Sequence, residues 1–304
     1  MGIKPPPAPK TGALAGILWM LVSCAFLSGV GALGRYVAVE GVPTFQTVFL
    51  RLLFALLCFA PLLAHRGREM LRTAHFPLYA IRVAIGLCGM TLWFAALGEI
   101  SVGEVTAIGF LAPIFGTLGA VLFLRESVGW RRWAAIFVGF LGALVILRPG
   151  VNEVGTGTWM ALGAALGMAI SGLFIKSLSG RDDPDKVVLI ALCLQTPVAL
   201  IPALIVWQPI PAWLWLVYAA MGLLGMLGHI TLTRAFRAAD ASLVMSLEFA
   251  RLPFAVLFGY LLLAELIDFW TWVGAGIIFA AAAYTAHRER RRRGLPVPLD
   301  PDAR

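Results

Sequence analysis

Charge is scarce in this 304-residue chain, whose 24 Lys and Arg and 16 Asp and Glu make up only 13% of it. A soluble domain carries about a quarter, and a globule of this size needs polar residues to cover its core. The scarcity excludes a soluble enzyme and a disordered chain. Cysteine is scarce too: Cys24, Cys58, Cys88 and Cys193 stand far apart, each inside an apolar run. Without a CxxC pair or a Cys/His cluster, there is no disulfide framework, zinc site or thiol redox centre to expect. Also missing are an HExxH helix, a nucleophile elbow, an intramembrane GxGD and a P-loop with its lysine. Zinc hydrolysis and ATP-driven pumping therefore lack the residues they need, and no acidic or carbonyl-rich filter marks a channel. No enzyme activity, metal or cofactor is expected.

Apolar sequence is abundant. Hydrophobic residues are 60% of the chain and mean hydropathy is +0.89, so hydrocarbon must be the main solvent. Apolar runs of about 18–25 residues read as membrane-spanning helices. Ten are found, at 12–34, 44–64, 77–97, 104–124, 130–147, 156–177, 187–207, 212–233, 242–263 and 269–286. The runs are continuous, whereas barrel strands alternate over about ten residues. The Pro-rich segment Met1–Lys10 reads as a short tail, and the run after it shows no cleavage signal, so it is a first span.

The formal charge of +8 is a topology signal. With the N-terminus inside, nineteen Lys and Arg fall in cytoplasmic segments, two (Arg35 and Arg148) in outer loops, and three (Arg51, Arg82, Arg251) within spans. Such a bias places both termini in the cytoplasm of a multi-pass inner-membrane protein. The Arg288–Arg293 run reads as an anchor to anionic lipid, not a nucleic-acid contact.

The chain also repeats itself. At an offset of 139, nine of the 38 positions in 96–133 match 235–272, including Glu126/Glu265 and Trp133/Trp272. Trp19-Met20 matches Trp159-Met160 at 140, and Pro61 matches Pro202 at 141. Two halves of five helices each must be inserted with opposite orientation, because five is odd. Inverted halves around a central site are the architecture of secondary transporters. The expected organisation is a cytoplasmic tail at 1–11, repeats at 12–150 and 151–286, and a basic cytoplasmic tail at 287–304.

The stretch Thr106 to Glu126 (TAIGFLAPIFGTLGAVLFLRE), with Pro113 thirteen residues before Glu126, resembles the Pro-then-Glu signature that closes each half in the EamA-type family of the drug/metabolite transporter superfamily. SLEFARLPFAVLFGYLLLAE repeats it with Pro253 twelve residues before Glu265, and the RLLFA run at Arg51 is similar to the family pattern. The resemblance covers 12–286. It implies an all-α protein of ten helices in two inverted five-helix repeats, with spans one, three, four, six, eight and nine around the cavity. The RLPFAVLFGYLLLAE stretch and the Arg82 span look most like carriers of nucleoside-derived or vitamin metabolites.

Charges inside a membrane are costly and point to function. Arg51 lies about 10 Å from the outer end of span two. Arg82, near the inner end of span three, either lines the cavity or snorkels to the headgroups. Glu248 and Arg251 are spaced i,i+3 and pair on one face or serve the site. Glu248 is the candidate proton-coupling group, Trp93 can stack on substrate, and His229 is either a proton carrier or a packing residue. The candidate cavity is therefore Arg51, Arg82, Trp93, His229, Glu248 and Arg251, with Pro113, Glu126, Pro253 and Glu265 as structural motif. Glu126 and Glu265 are expected to cap the helix that follows each.

These readings converge on a secondary active transporter of a small organic metabolite, of amino-acid, nucleoside-derived, vitamin or drug-like type. Alternating access would drive it, by proton coupling or exchange. The excess of arginine favours a substrate carrying a carboxylate or another anionic group. A lipid scramblase on the same inverted fold is the alternative. Expected partners are the small-molecule substrate and membrane lipid, without nucleic acid, and the chain is a monomer or homodimer.

Overall fold

The computed structural model describes residues 13–112, 114–116, 118, 134, 137–138, 140–142, 144–145, 155–239, 244, 247, 250–266 and 268–293. Among the described residues there is no strand. The helices are α1 (Ala13–Val39), α2 (Thr44–Arg66), α3 (Phe76–Glu99), α4 (Val102–Gly109), α5 (Thr156–Ser179), α6 (Pro184–Ile205), α7 (Ala212–Ala238), α8 (Arg251–Leu263) and α9 (Phe269–Arg293). Helix is the obligatory choice in hydrocarbon, because every N–H and C=O must find its partner within the segment. Six of these, α1, α2, α3, α5, α6 and α7, are long and apolar enough to cross a membrane. Helix α4, helix α8 and the apolar part of α9 are shorter. The expected fifth span, 130–147, falls largely outside the described residues, as do Pro113, Glu126 and Glu248. Helix α1 runs to Val39, so Arg35 belongs to a helix and not to an outer loop.

Lipid tails are as apolar as leucine, so helices in a membrane are held by close contact more than by water exclusion. Glycine permits that contact. A Cβ built on Gly167 of α5 would stand 2.9 Å from the Cα of Gly89 in α3, and one on Gly228 of α7 would stand 2.7 Å from the Leu27 side chain of α1. Further along, Gly16 of α1 abuts Ala239 beyond α7, and Gly157 of α5 abuts Glu99 and Ile100 at the end of α3. The two crossings are therefore built alike. Positions 139 to 141 apart in sequence occupy matching places: Gly89 with Gly228, Leu27 with Gly167, Gly16 with Gly157, and Ile100 with Ala239.

The helix ends show the same correspondence. Arg35, near the end of α1, donates from Nη1 to the carbonyls of Leu97 (2.9 Å) and Gly98 (3.0 Å) at the end of α3. Lys176, near the end of α5, donates to the carbonyls of Phe236 (2.7 Å) and Ala239 (2.9 Å) at the end of α7. Each cation satisfies C-terminal carbonyls that have no partner inside their own helix. Arg35 also bonds Glu265 through Nε at 2.8 Å. Here the capping expectation is corrected: the other oxygen of Glu265 accepts from Val102 N (3.2 Å), the first residue of α4. The start of α9 is instead served by Asp268, which accepts from Trp270 N at 3.2 Å. Glu265 can reach across because Ala264 before it takes a left-handed conformation, φ 52°, and turns the chain sharply at the end of α8. At the opposite end of the bundle, Asp182 accepts from Thr73 and Tyr79 (3.0 Å each) and Asp185 pairs with Arg234 at 3.1 Å. Ion pairs hold the two ends, and the middle is held by glycine contacts together with buried hydrogen bonds such as Ser23 Oγ to the Gly228 carbonyl (2.9 Å).

Helix α7 meets α2 through Gly222, where a Cβ would stand 2.6 Å from the backbone nitrogen of Ala55. We expect Gly222→Ala to destabilise the detergent-solubilised protein by about 1–3 kcal/mol, read as a drop in thermal midpoint. Gly276→Ala, where a Cβ meets nothing within 4 Å, serves as the control. Equal stability of the two variants would show that backbone contact at the crossing is not what holds it.

Candidate functional site

Between the two glycine crossings, α1, α3, α5, α6 and α7 enclose a cavity of about 150 Å³, which Arg51 of α2 and Arg251 of α8 also reach. Its walls are mostly aliphatic, with Met20, Met90, Met168, Trp93, Phe94 and Phe236 among them. Polar groups are few, namely Arg51, Arg82, Arg251, His229, Gln195 and Ser171. Five of the six cavity positions chosen from the sequence therefore come together on its surface. They are Arg51, Arg82, Trp93, His229 and Arg251; the sixth, Glu248, lies outside the described residues.

Arg51 is 5% exposed. Its Nη1 donates to the Met90 sulfur at 2.8 Å, its Nη2 lies 3.4 Å from His229 Nε2, and its carbon centre stands 5.7 Å from the centroid of the Phe94 ring. Among the described residues its Nε has no hydrogen-bond partner, and neither does His229 Nδ1. The guanidinium packs closely on Gly225 of α7, where a Cβ would be 3.0 Å from Nη2. No carboxylate among the described residues is in ion-pair contact with it. A thioether, an imidazole and a ring face are weak solvation for a buried cation.

Arg82 does not snorkel to the headgroups. It is 6% exposed and donates from Nη1 to the Val187 carbonyl of α6 at 2.9 Å, so it fastens α3 to α6 along the cavity wall. Trp93 stands edge-on to Phe94, with centroids 5.0 Å apart and planes at 87°, and Gly31 of α1 leaves the room its ring occupies. Pro253 sits on the exposed side in the first turn of α8, where a missing N–H costs no helical bond.

Sequence reading passed over Gln195 and Ser171. Both stand 3.3 Å from the point where a Cβ on Gly86 would lie, so one patch of α3 backbone carries an amide and a hydroxyl at the cavity wall. A carboxamide within a span was a usable signal for Gln195. Nothing distinguished Met90 or Met168 from ordinary apolar helix residues. Three arginines and a histidine make the cavity rich in hydrogen-bond donors, and its methionines and aromatics suit a flat, polarisable solute.

Comparisons with known proteins agree in kind. The model of the EamA-like transporter family matches the chain twice, at residues 14–148 and 155–286. A riboflavin transporter of Vibrio cholerae is 32% identical over 287 residues, spanning 93% of this chain and 96% of that protein. A riboflavin transporter of Rhizobium johnstonii is also 32% identical, over 93% of this chain and 95% of its own. The S-adenosylmethionine uptake transporter of Rickettsia felis is 25% identical over 91% of this chain and 94% of that one. A crystal structure at 16% identity superposes with a TM-score of 0.66 over 91% of this chain and 99% of that chain, a likeness of fold.

A buried charge with poor partners costs stability, and replacing it by an apolar side chain of similar length is often neutral or favourable. Arg51→Met should therefore leave the melting temperature unchanged or raise it while abolishing transport. A fall of several degrees would show instead that the guanidinium holds the bundle together.

Proposed function

The chain belongs to the EamA-like transporter family, and from that premise we propose that it carries a flavin-class vitamin, riboflavin in the first instance, across the inner membrane by alternating access. Multi-pass membrane insertion and transport of a small metabolite follow from the family, the six spanning helices and the named relatives. The observation that carries the choice of solute is near full-length likeness to two riboflavin transporters. The lining supports it: riboflavin is flat, polarisable and rich in carbonyl and ring-nitrogen acceptors, matching Trp93, Phe94 and the methionines beside a donor-rich polar set. S-adenosylmethionine, carried by other relatives, bears a sulfonium cation. The buried guanidiniums of Arg51 and Arg82 oppose it by Coulomb repulsion.

In this reading, ten helices form two inverted repeats, 12–150 and 151–286, with both termini cytoplasmic. Support comes from the family model matching twice and from the contacts related by offsets of 139 to 141. Arg35 then fastens the outer end and Lys176 the inner end, each by the same chemistry. A cavity of about 150 Å³ admits a ring-sized group. Breaking one fastening while keeping the other is what alternating access requires. Arg51, Arg82, Trp93, His229, Gln195 and Arg251 are the proposed substrate contacts.

Radiolabelled riboflavin supplied to proteoliposomes should enter saturably, with excess unlabelled riboflavin blocking it and S-adenosylmethionine leaving it unchanged. Competition by S-adenosylmethionine alone, or lipid scrambling without flavin flux, would overturn the assignment. The two fastenings have their own test, with a cysteine placed at Met90 after replacing the four native ones. Arg35→Gln should expose it to a membrane-impermeant maleimide from outside, and Lys176→Gln from the cytoplasmic side in inverted vesicles. Exposure to the same side by both variants would contradict the inverted arrangement.

A further inference from the structure

Arg51 and His229 share one hydrogen bond whose direction is forced, and it determines what the neighbouring atoms can recognise. A guanidinium has donors and no acceptor. The 3.4 Å contact between Arg51 Nη2 and His229 Nε2 is therefore a donation from arginine, Nε2 is the bare nitrogen, and the imidazole proton sits on Nδ1. Nδ1–H has no partner, and neither has Arg51 Nε–H. The corner thus holds two buried donors without acceptors, beside a positive charge that no described carboxylate balances. Buried donors are almost always satisfied, so this pair is an unfilled request for acceptor oxygens or nitrogens. Gln195, across the cavity over Gly86, offers in its amide both a donor and an acceptor.

Resting on the flavin-class reading above, we infer that Arg51 and His229 form a donor-only corner that binds the carbonyl edge of the pyrimidinedione ring, with Gln195 reading that ring's N–H. The acceptor-rich end of the solute therefore anchors in the cavity. A single ring is the fragment that about 150 Å³ accommodates, and the sugar-alcohol chain lies toward the opening. Gly225 belongs to this corner as a positioning residue, because a side chain there displaces the guanidinium from α7. Recognition is of the ring and not of the ribityl chain.

Two probes separate those possibilities: riboflavin, and lumiflavin, which keeps the isoalloxazine rings and has a methyl group in place of the ribityl chain. Binding to the purified protein is read by quenching of flavin fluorescence. Wild type should bind lumiflavin within about tenfold of riboflavin. Arg51→Met and His229→Leu should each weaken both probes at least tenfold and by similar factors, as should Gly225→Ala. His229→Asn, which restores an N–H near the Nδ1 position, should bind at least fivefold tighter than His229→Leu. Thermal midpoints of all variants identify any that have lost their fold, and Arg51→Lys then stands in for Arg51→Met, keeping the charge without the planar fork. Unchanged lumiflavin binding in folded Arg51 and His229 variants would overturn the corner while leaving the flavin reading intact, as would an effect confined to riboflavin. Wild type that binds neither probe would remove the flavin reading itself.

Discussion

Backbone contact over glycine is the constraint on which this molecule depends. In hydrocarbon no water squeezes helices together, so attraction comes from surfaces meeting within van der Waals range. At Gly89 against Gly167, and Gly228 against Leu27, helices approach as closely as backbones allow. Those two crossings hold α1 to α7 and α3 to α5. The space left between the pairs is the cavity, so the site is a consequence of the packing. The same small residues also open room for function: Gly225 receives Arg51, Gly31 receives Trp93, and Gly86 is faced by Gln195 and Ser171.

Charge is arranged around that frame in two distinct ways. At the bundle ends, cations meet helix C-terminal carbonyls or carboxylates, as in Arg35 with Leu97, Gly98 and Glu265, and Arg234 with Asp185. These ties lie at helix ends and are partly exposed. In the middle, Arg51 has a sulfur, an imidazole and a ring face instead. A guanidinium kept so poorly solvated is expensive to hold in a resting state, and a solute that brings acceptors lowers that cost.

Much of this was legible in the chain. Spans were readable because apolar runs of 20 residues have few alternative fates, and α1, α2, α3, α5, α6 and α7 lie where runs were found. Arg51, Arg82, His229 and Arg251 drew attention because an ionisable residue in a span is anomalous anywhere, and Trp93 because it shares a helix face with Arg82. Arg82 was ambiguous because its distance from a helix end fits both snorkelling and burial; only the Val187 carbonyl on α6 distinguishes them. Glu265 was assigned to the wrong helix because a capping rule reads forward along the chain. The structure brings the start of α4 closer in space than the start of α9 is in sequence. Gln195 and Ser171 were overlooked because uncharged polar residues in spans usually bond their own helix, as Thr196 does with Leu192.

By itself the sequence determined the solvent, the helical character, the repeat of its two halves and the identity of the ionisable residues placed in the membrane. These follow from composition and periodicity, which are properties of neighbours along the chain. Tertiary structure decided which of those residues meet, which helix Glu265 caps, and that Arg51 and His229 leave two donors unpaired. Such facts depend on distances between residues more than a hundred positions apart, set by where glycines let backbones touch. No local pattern carries that information.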